Sequence, residues 1–302
     1  MILQTRTEIN AHLDKLEEKL LQELGSTSGS CKSENTKILR KLKIAEGKLT
    51  KLREEILQIK QFSSDKNVFL GTYQGDILIA NCAEKYLIKY SDAGKHIRDI
   101  PVSGLPFGVE VIDLNRIVVV TYATANCVEI MNSNTFKAEM NIRYHDDAWG
   151  VSQHNDRLYV VTGNATVQVM DLLRGQWETL KLASDNVLNI TTSRDRIFYT
   201  DYATGNVHCC LINGEEFWQF GSKNIRRPRG LAVDNHNNVY VVGFGSNNLS
   251  IIQHDGKNSR TLLTESDGLF NPRDVYYDKE KRTLLICNQD GTIFLYKVVL
   301  NF

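Results

Sequence analysis

The stretch Pro228-Arg-Gly-Leu-Ala-Val-Asp234, followed by Val239-Tyr-Val-Val242, is the clearest copy of a pattern that recurs through most of this chain. Each copy begins at a glycine or a small polar residue, continues as a short apolar run, and is followed by a second β-branched or aromatic run. Runs of this composition, bounded by turn residues, are typical of strands. The pattern therefore predicts a series of short consecutive strands.

The copies recur at a nearly constant distance. Their anchor residues are separated by 42, 39, 41 and 44 positions and are Gly108, Gly150, Asn189, Gly230 and Asp274. A weaker sixth copy precedes them, with its inner strand assigned to Val68–Tyr73 and its middle strands to 76–80 and 86–90. Units of about 40 residues with three or four strands each are typical of propeller blades, whereas a β-sandwich has no fixed period. We predict an all-β six-bladed propeller over residues 63–302 and leave its ring-closing strand open.

Residues 1–62 have a different pattern, which predicts an α-helical coiled coil. Apolar positions alternate four and three residues apart along a seam formed by Ile38, Leu42, Ala45, Leu49, Leu52, Ile56 and Ile59. This is heptad spacing, and a narrow apolar seam is stable only against another helix, so we expect self-association. An earlier apolar series at 2–24 is separated from the seam by Gly25-Ser-Thr-Ser-Gly-Ser30. The chain either turns back there as a hairpin or continues as one interrupted helix.

Composition excludes several classes of function. The chain of 302 residues has 36 basic and 36 acidic side chains, so no overall field attracts nucleic acid or a membrane surface. The sequence contains neither a signal peptide nor an apolar run of membrane-spanning length, and we expect a cytoplasmic protein without membrane contact. None of the six cysteines forms a CxxC pair, so we expect reduced thiols, no metal and no cofactor.

The motif at 228–234, Pro-x-Gly followed by alternating apolar residues and Asp, resembles the NHL repeat. A coiled coil followed by an NHL propeller resembles the carboxy-terminal part of tripartite-motif (TRIM) proteins. The resemblance implies a dimeric or oligomeric scaffold that recognises substrates for a ubiquitin ligase. The RING and B-box zinc modules of that family have no counterpart in this sequence, so we do not expect this chain to be an enzyme.

The residue before each anchor indicates a binding site. These positions form a ring at one mouth of a propeller, and they are Phe107, Trp149, Leu188, Arg229 and Arg273. Arg226 and Arg227 add positive charge in the loop leading to the fifth blade. Aromatic and arginine side chains are enriched at binding hot spots. We predict that Phe107, Trp149, Arg226, Arg227, Arg229 and Arg273 bind a protein or peptide target, unless the two aromatics pack between blades.

Two other functions remain open on the sequence. Single-stranded RNA is the rival ligand, because basic residues beside aromatic ones can hold phosphates and stack bases. A metal-dependent hydrolase is the enzymatic alternative, because some six-bladed propellers hold a metal in the channel. That chemistry needs several converging ligands, and three of the anchors are glycines, which supply none.

Overall fold

The computed structural model describes residues 56–57, 68–73, 75–122, 126–144, 146–163 and 165–298. Blade 6 is completed by the short strand β1 (Ile56–Leu57). Blade 1 contains β2 (Val68–Tyr73), β3 (Asp76–Asn81), β4 (Tyr86–Tyr90) and β5 (His96–Pro101). Blade 2 contains β6 (Leu105–Asp113), β7 (Arg116–Tyr122), β8 (Cys127–Asn132) and β9 (Ala138–Arg143). Blade 3 contains β10 (Ala148–His154), β11 (Arg157–Thr162), β12 (Thr166–Asp171) and β13 (Trp177–Lys181).

The remaining blades follow the same order. Blade 4 contains β14 (Val187–Ser193), β15 (Arg196–Asp201), β16 (Asn206–Leu211) and β17 (Glu216–Gly221). Blade 5 contains β18 (Pro228–Val233), β19 (Val239–Gly243), β20 (Asn248–Ile252) and β21 (Ser259–Leu263). A 3₁₀ helix at Glu265–Asp267 leads to blade 6, whose own strands are β22 (Pro272–Asp278), β23 (Thr283–Asn288) and β24 (Ile293–Lys297).

The six sheets form a closed ring. Each sheet has four strands and every recorded pairing is antiparallel. The first strand of each blade lies innermost and contacts the first strand of the next blade, and β22 returns to contact β2. The predicted six-bladed propeller is therefore confirmed, with Val68–Tyr73 as the inner strand of blade 1.

Ring closure corrects one prediction from the heptad pattern. Ile56 was predicted to lie in a coiled-coil helix, but it lies in β1, where it pairs with Tyr296 of β24 while Leu57 pairs with Leu295. Without β1 the outer edge of β24 would present unpaired backbone groups, and this pairing supplies their partners. The sheets thus begin before residue 63. The other predicted seam positions, Ile38, Leu42, Ala45, Leu49, Leu52 and Ile59, lie outside the described residues.

The core lies between neighbouring blades because each middle strand is apolar on both faces. Ile117 and Val119 of β7 pack against the apolar side chains of blade 1, and Val118 packs toward blade 3. The adjacent Cys209 and Cys210 likewise enter clusters on opposite sides of blade 4, as period-two alternation requires. The five cysteines of the described residues form no disulfide, and all five are buried.

The anchors lie at β-bulges. In blades 2 to 6 the inner strand shifts register at its anchor, whereas β2 pairs with β3 without interruption. A bulge re-aims the neighbouring side chain, here the residue before each anchor. Blades approach closely at this level: a Cβ on Gly150 would lie 2.9 Å from both the Cα of Asn189 and the carbonyl oxygen of Leu188. Glycine is required there because backbone atoms leave no room.

Candidate functional site

The channel has two chemically different ends. We call the end where the inner strands begin the upper face and the end where they finish the lower face. The upper face carries a group of side chains that we call the arginine–aromatic cluster, namely Tyr202, Arg229, Phe244 and Arg273. The lower face opens into a cavity of about 500 Å³.

Arginine and aromatic side chains alternate in the cluster. The guanidinium carbon of Arg229 lies 4.8 Å from the centre of the Tyr202 ring and 4.6 Å from that of Phe244. The guanidinium carbon of Arg273 lies 4.8 Å from the Phe244 ring on which Arg229 also packs. These distances are those of cation–π contacts, which stabilise a partly desolvated guanidinium by about 0.5–2 kcal/mol. The aromatic rings therefore hold two like charges close together.

The positive charge of this face has no ion-pair partner among the residues that the structure describes. Within the described residues, no ion pair involves Arg226, Arg227, Arg229 or Arg273. The buried Nε atoms of Arg229 and Arg273 have no hydrogen-bond acceptor there either. Burial, and then the charge of Arg229, lower the pKa of Arg273 to about 10. Arg273 is still charged near neutrality, so the cluster attracts an anion.

The predicted site residues differ in position and in exposure. Phe107, Arg229 and Arg273 line one small cavity of about 10 Å³ together with Leu188. Arg226 and Arg227 are exposed around it, and the guanidinium carbon of Arg227 lies 5.8 Å from the Tyr202 ring centre. Phe107, only 5% exposed, packs edge-to-face on Trp149 with ring centres 5.1 Å apart, so these aromatics pack between blades.

Sequence reasoning missed two members of the cluster. Tyr202 and Phe244 directly follow the second strands of blades 4 and 5, at equivalent positions of the repeat. Comparing the residue that follows the second strand in each repeat would have identified both as aromatic. The residue before each anchor gives no indication of either ring.

A side-chain hydrogen bond crosses the channel between its two ends. The side-chain amide of Asn189 in blade 4 donates a hydrogen bond of 3.1 Å to Asp274 Oδ1 in blade 6. The bond passes over blade 5 at Gly230, where a Cβ would lie 2.1 Å from the same Asp274 oxygen. The small cavity beside Arg229 and Arg273 and the lower cavity are therefore distinct. Their linings have only Phe107 and Asn189 in common.

The lower cavity is lined mainly by polar groups from the inner strands. The Ser152 and Thr192 hydroxyls lie 2.9 Å apart and bond each other across blades 3 and 4. On the opposite wall, the Thr72 hydroxyl donates to the Tyr276 oxygen over 3.0 Å. Burial raises the pKa of the Glu110 carboxyl to about 7, although a hydrogen bond from the Val111 N–H and the charge of Lys279 oppose that shift.

The described residues do not converge as a metal centre. Within those ranges, no group of three or more His, Cys, Asp or Glu side chains is arranged to hold a metal ion. Asn189 and Asp274, the anchors with oxygen ligands, bond each other. Across the same described part of the chain, no helix has the length and apolar character that a membrane crossing requires.

Comparison with known proteins identifies the fold. No model of a known protein family matches the chain. A protein of unknown function from Bacteroides thetaiotaomicron VPI-5482 is similar with a TM-score of 0.66 and 15% identity, over 80% of this chain and 72% of that one. Virginiamycin B lyase from Staphylococcus aureus has a TM-score of 0.60 and 11% identity, over 76% and 80%. The Cps50 (Swd1) β-propeller domain from Myceliophteria thermophila has a TM-score of 0.60 and 10% identity, over 81% and 100%.

These identities are too low to carry function, and they show the fold alone. The chain is a six-bladed β-propeller with a repeat architecture. The propeller fold commonly serves as a protein-binding scaffold, and virginiamycin B lyase shows that it also serves enzymes. The function of this chain must therefore be argued from its own site.

Proposed function

We propose that this chain is an oligomeric scaffold whose upper propeller face binds an acidic segment of a target protein. One observation carries the proposal: Arg226, Arg227, Arg229 and Arg273 gather at one face with no acidic partner among the described residues. Arginine side chains that lack a partner are suited to carboxylates, to which they donate paired hydrogen bonds.

The four arginines have distinct roles in this proposal. Arg226 and Arg227 are exposed, so they attract an acidic peptide and contact its side chains first. Arg229 is held between the Tyr202 and Phe244 rings and Arg273 packs on the Phe244 ring, so they form a rigid charged floor. Rigid contacts lose little conformational entropy when a ligand binds, which favours affinity.

The wider role rests on the resemblance to TRIM proteins. The propeller is the substrate-recognition part of a ubiquitin-ligase system, and the predicted seam at residues 38–59 joins chains into an oligomer. Two propellers in one assembly raise affinity for a target with two acidic segments, because the second contact is intramolecular. RNA is the second candidate, and exposed Arg226 and Arg227 favour it. Phe107, 5% exposed, is too buried to stack a base.

Fluorescence anisotropy with three labelled probes tests the proposal: a deca-glutamate peptide, a glycine–serine peptide of equal length, and a ten-nucleotide poly-U RNA. We expect the chain to prefer the glutamate peptide. The double variant R226Q/R227Q should weaken that binding at least tenfold, about 1.4 kcal/mol. The matched control R194Q/R282Q removes the same charge elsewhere, and its positions share the positive φ of Arg227. Equal loss in both variants, or tighter binding of the RNA, would contradict the proposal.

A further inference from the structure

The lower cavity is a second candidate binding site, independent of the arginine–aromatic cluster. Its volume of about 500 Å³ lies in the range of small-molecule pockets in proteins. The inner strands of all six blades contribute to its wall. The Asn189–Asp274 hydrogen bond lies on the side toward the upper face, so a ligand reaches the cavity from the lower face.

Glu110 differs from Asp113, Asp274 and Asp278 of this wall, and the fifth carboxylate of the lining, Glu280, is exposed whereas Glu110 is partly buried. Asp113 forms an ion pair of 2.7 Å with Arg116, and Asp274 accepts the amide of Asn189. Asp278 accepts two backbone N–H groups of the turn that follows it. Glu110 is partly buried, and the one hydrogen bond recorded for it comes from the N–H of its neighbour Val111. Its carboxylate therefore has acceptor capacity left for a ligand.

Lys279 supplies a positive charge at the rim of the same cavity. Lys281 is engaged with the Gly75 carbonyl at 3.2 Å and with Asp92 at 3.8 Å. By contrast, no ion pair in the described part of the chain involves Lys279. Glu110 and Lys279 influence each other electrostatically without direct contact. The space between them suits a molecule that bears both charges.

Neutral donors line the same cavity as the two charged groups. The Tyr276 oxygen accepts the Thr72 hydroxyl, so its own O–H remains a donor for a ligand in the cavity that Tyr276 lines. The Gln153 side chain also lines the wall, and no hydrogen bond of its amide is recorded among the described residues. Ser152 and Thr192 satisfy each other and leave a polar, uncharged wall opposite.

We propose that this cavity binds a small zwitterion of amino-acid size, with its ammonium group on the Glu110 carboxylate and its carboxylate toward Lys279 and the Tyr276 hydroxyl. A ligand with both charges pairs each of these groups, whereas a singly charged ligand leaves one of them uncompensated. The partly buried Glu110 gains most from such pairing because water screens its charge less, whereas Lys279 is exposed and supplies its charge from the rim. The ligand class follows from this charge arrangement.

Saturation-transfer NMR on the full chain at pH 8 tests the proposal with glycine, L-serine and L-lysine as probes. Ethylamine and propionate, each carrying one of the two charges, serve as comparison probes. We expect transfer to the amino acids and at least tenfold weaker binding of either comparison probe. E110Q should remove the preference for amino acids over propionate, and K279Q should remove the preference over ethylamine.

The control E215Q changes an exposed carboxylate in the turn between β16 and β17, away from the cavity, and should bind like the wild type. Absence of transfer to the amino acids at 10 mM probe, or unchanged amino-acid binding in both E110Q and K279Q, would overturn the proposal. Binding of the deca-glutamate peptide at the upper face is measured separately, so the two proposals fail or stand independently.

Discussion

At the scale of single residues, Arg273 is a buried cation whose charge we do not expect to stabilise the fold. The side chain is 9% exposed, its Nε has no acceptor among the described residues, and its pKa is lowered by burial and then by Arg229. A buried cation without a partner costs stability even when an aromatic ring compensates part of that cost. Such a residue is typical of a binding site where stability and function conflict.

The variant R273M tests that conflict. Methionine keeps much of the side-chain volume and removes the buried charge, so we expect the free energy of unfolding to rise by about 1 kcal/mol. Affinity for the glutamate peptide should fall at the same time. Urea denaturation and anisotropy measure the two quantities. A loss of more than about 1 kcal/mol of stability would assign Arg273 to the core instead.

Glu110 makes a pH-dependent contribution to stability. Its pKa is about 7 in the folded protein, against an ordinary value of 4.5, so between these values the folded state binds more protons than the unfolded state. Stability contributed by the protonated group is therefore lost as pH rises from 5 to 7. The facing titratable groups are Lys279 and Tyr276, and burial lowers the pKa of the Lys279 ammonium and raises the pKa of the Tyr276 hydroxyl.

Comparison of the wild type with E110Q isolates this contribution. We expect the stability of the wild type to fall relative to E110Q by roughly 1 kcal/mol per pH unit between pH 5 and 7. Carboxyls whose pKa is lowered, such as Asp113 and Asp201, act in the opposite direction but equally in both proteins, so they cancel in the difference. Parallel stability curves for the two proteins would show that Glu110 titrates normally.

At the scale of elements, the bulged inner strands bring the arginine–aromatic cluster together, and close approach at the anchors fixes them. A Cβ on Gly150 of β10 would lie 2.9 Å from backbone atoms of β14, so the G150A variant must push two blades apart. We expect a loss of about 3 kcal/mol, in the range of overpacked cores. The matched variant G71A, in β2, meets Val109 Cγ1 at an ordinary 3.4 Å and should lose less than about 1 kcal/mol. Equal losses would show that the anchors tolerate a side chain.

The repeat made most of the elements predictable. Short continuous runs of apolar residues located the middle strands, and the runs are continuous because each blade buries both faces against its neighbours, as Ile117 and Val118 do. The same repeat placed Phe107, Arg229 and Arg273 around one cavity. It gave no information about β1, because two residues pair there with a strand more than 200 positions away in sequence. Ile56 fitted a heptad seam equally well, and only the pairing with Tyr296 assigns it to the sheet.

The sequence did not predict how deeply each side chain is buried or which side chains contact each other across the ring. The Asn189–Asp274 bond joins blades 4 and 6, and the pattern of each repeat alone does not show which side chains cross the channel. The burial of Phe107 depends on Trp149 of the next blade, so a position on the inner strand did not predict its exposure. The sequence did not predict the lower cavity, because its charged residues Glu110 and Lys279 occupy different positions in their repeats.

At the scale of the whole molecule, the predicted seam and the propeller give the scaffold two functions that can be tested separately. The double variant L42D/L49D places carboxylates in the seam, so we expect the full chain to change from an oligomer to a monomer in sedimentation equilibrium. Affinity per propeller for the glutamate peptide should stay the same. The control K41D/K48D introduces the same groups beside the seam and should remain oligomeric. A wild-type chain that sediments as a monomer would contradict the predicted self-association.

The location of ligand binding tests the central claim most directly. In a ¹⁵N NMR titration of the full chain with the deca-glutamate peptide, the Nε–H signals of Arg229 and Arg273 can be followed beside those of Arg194 and Arg282. We predict that the two cluster signals shift in a saturable way while the other two stay in place, because Arg229 and Arg273 lie at the upper face and have no ion-pair partner among the described residues. Saturable shifts confined to Arg194 and Arg282, or no shift at all, would contradict a binding site at that face.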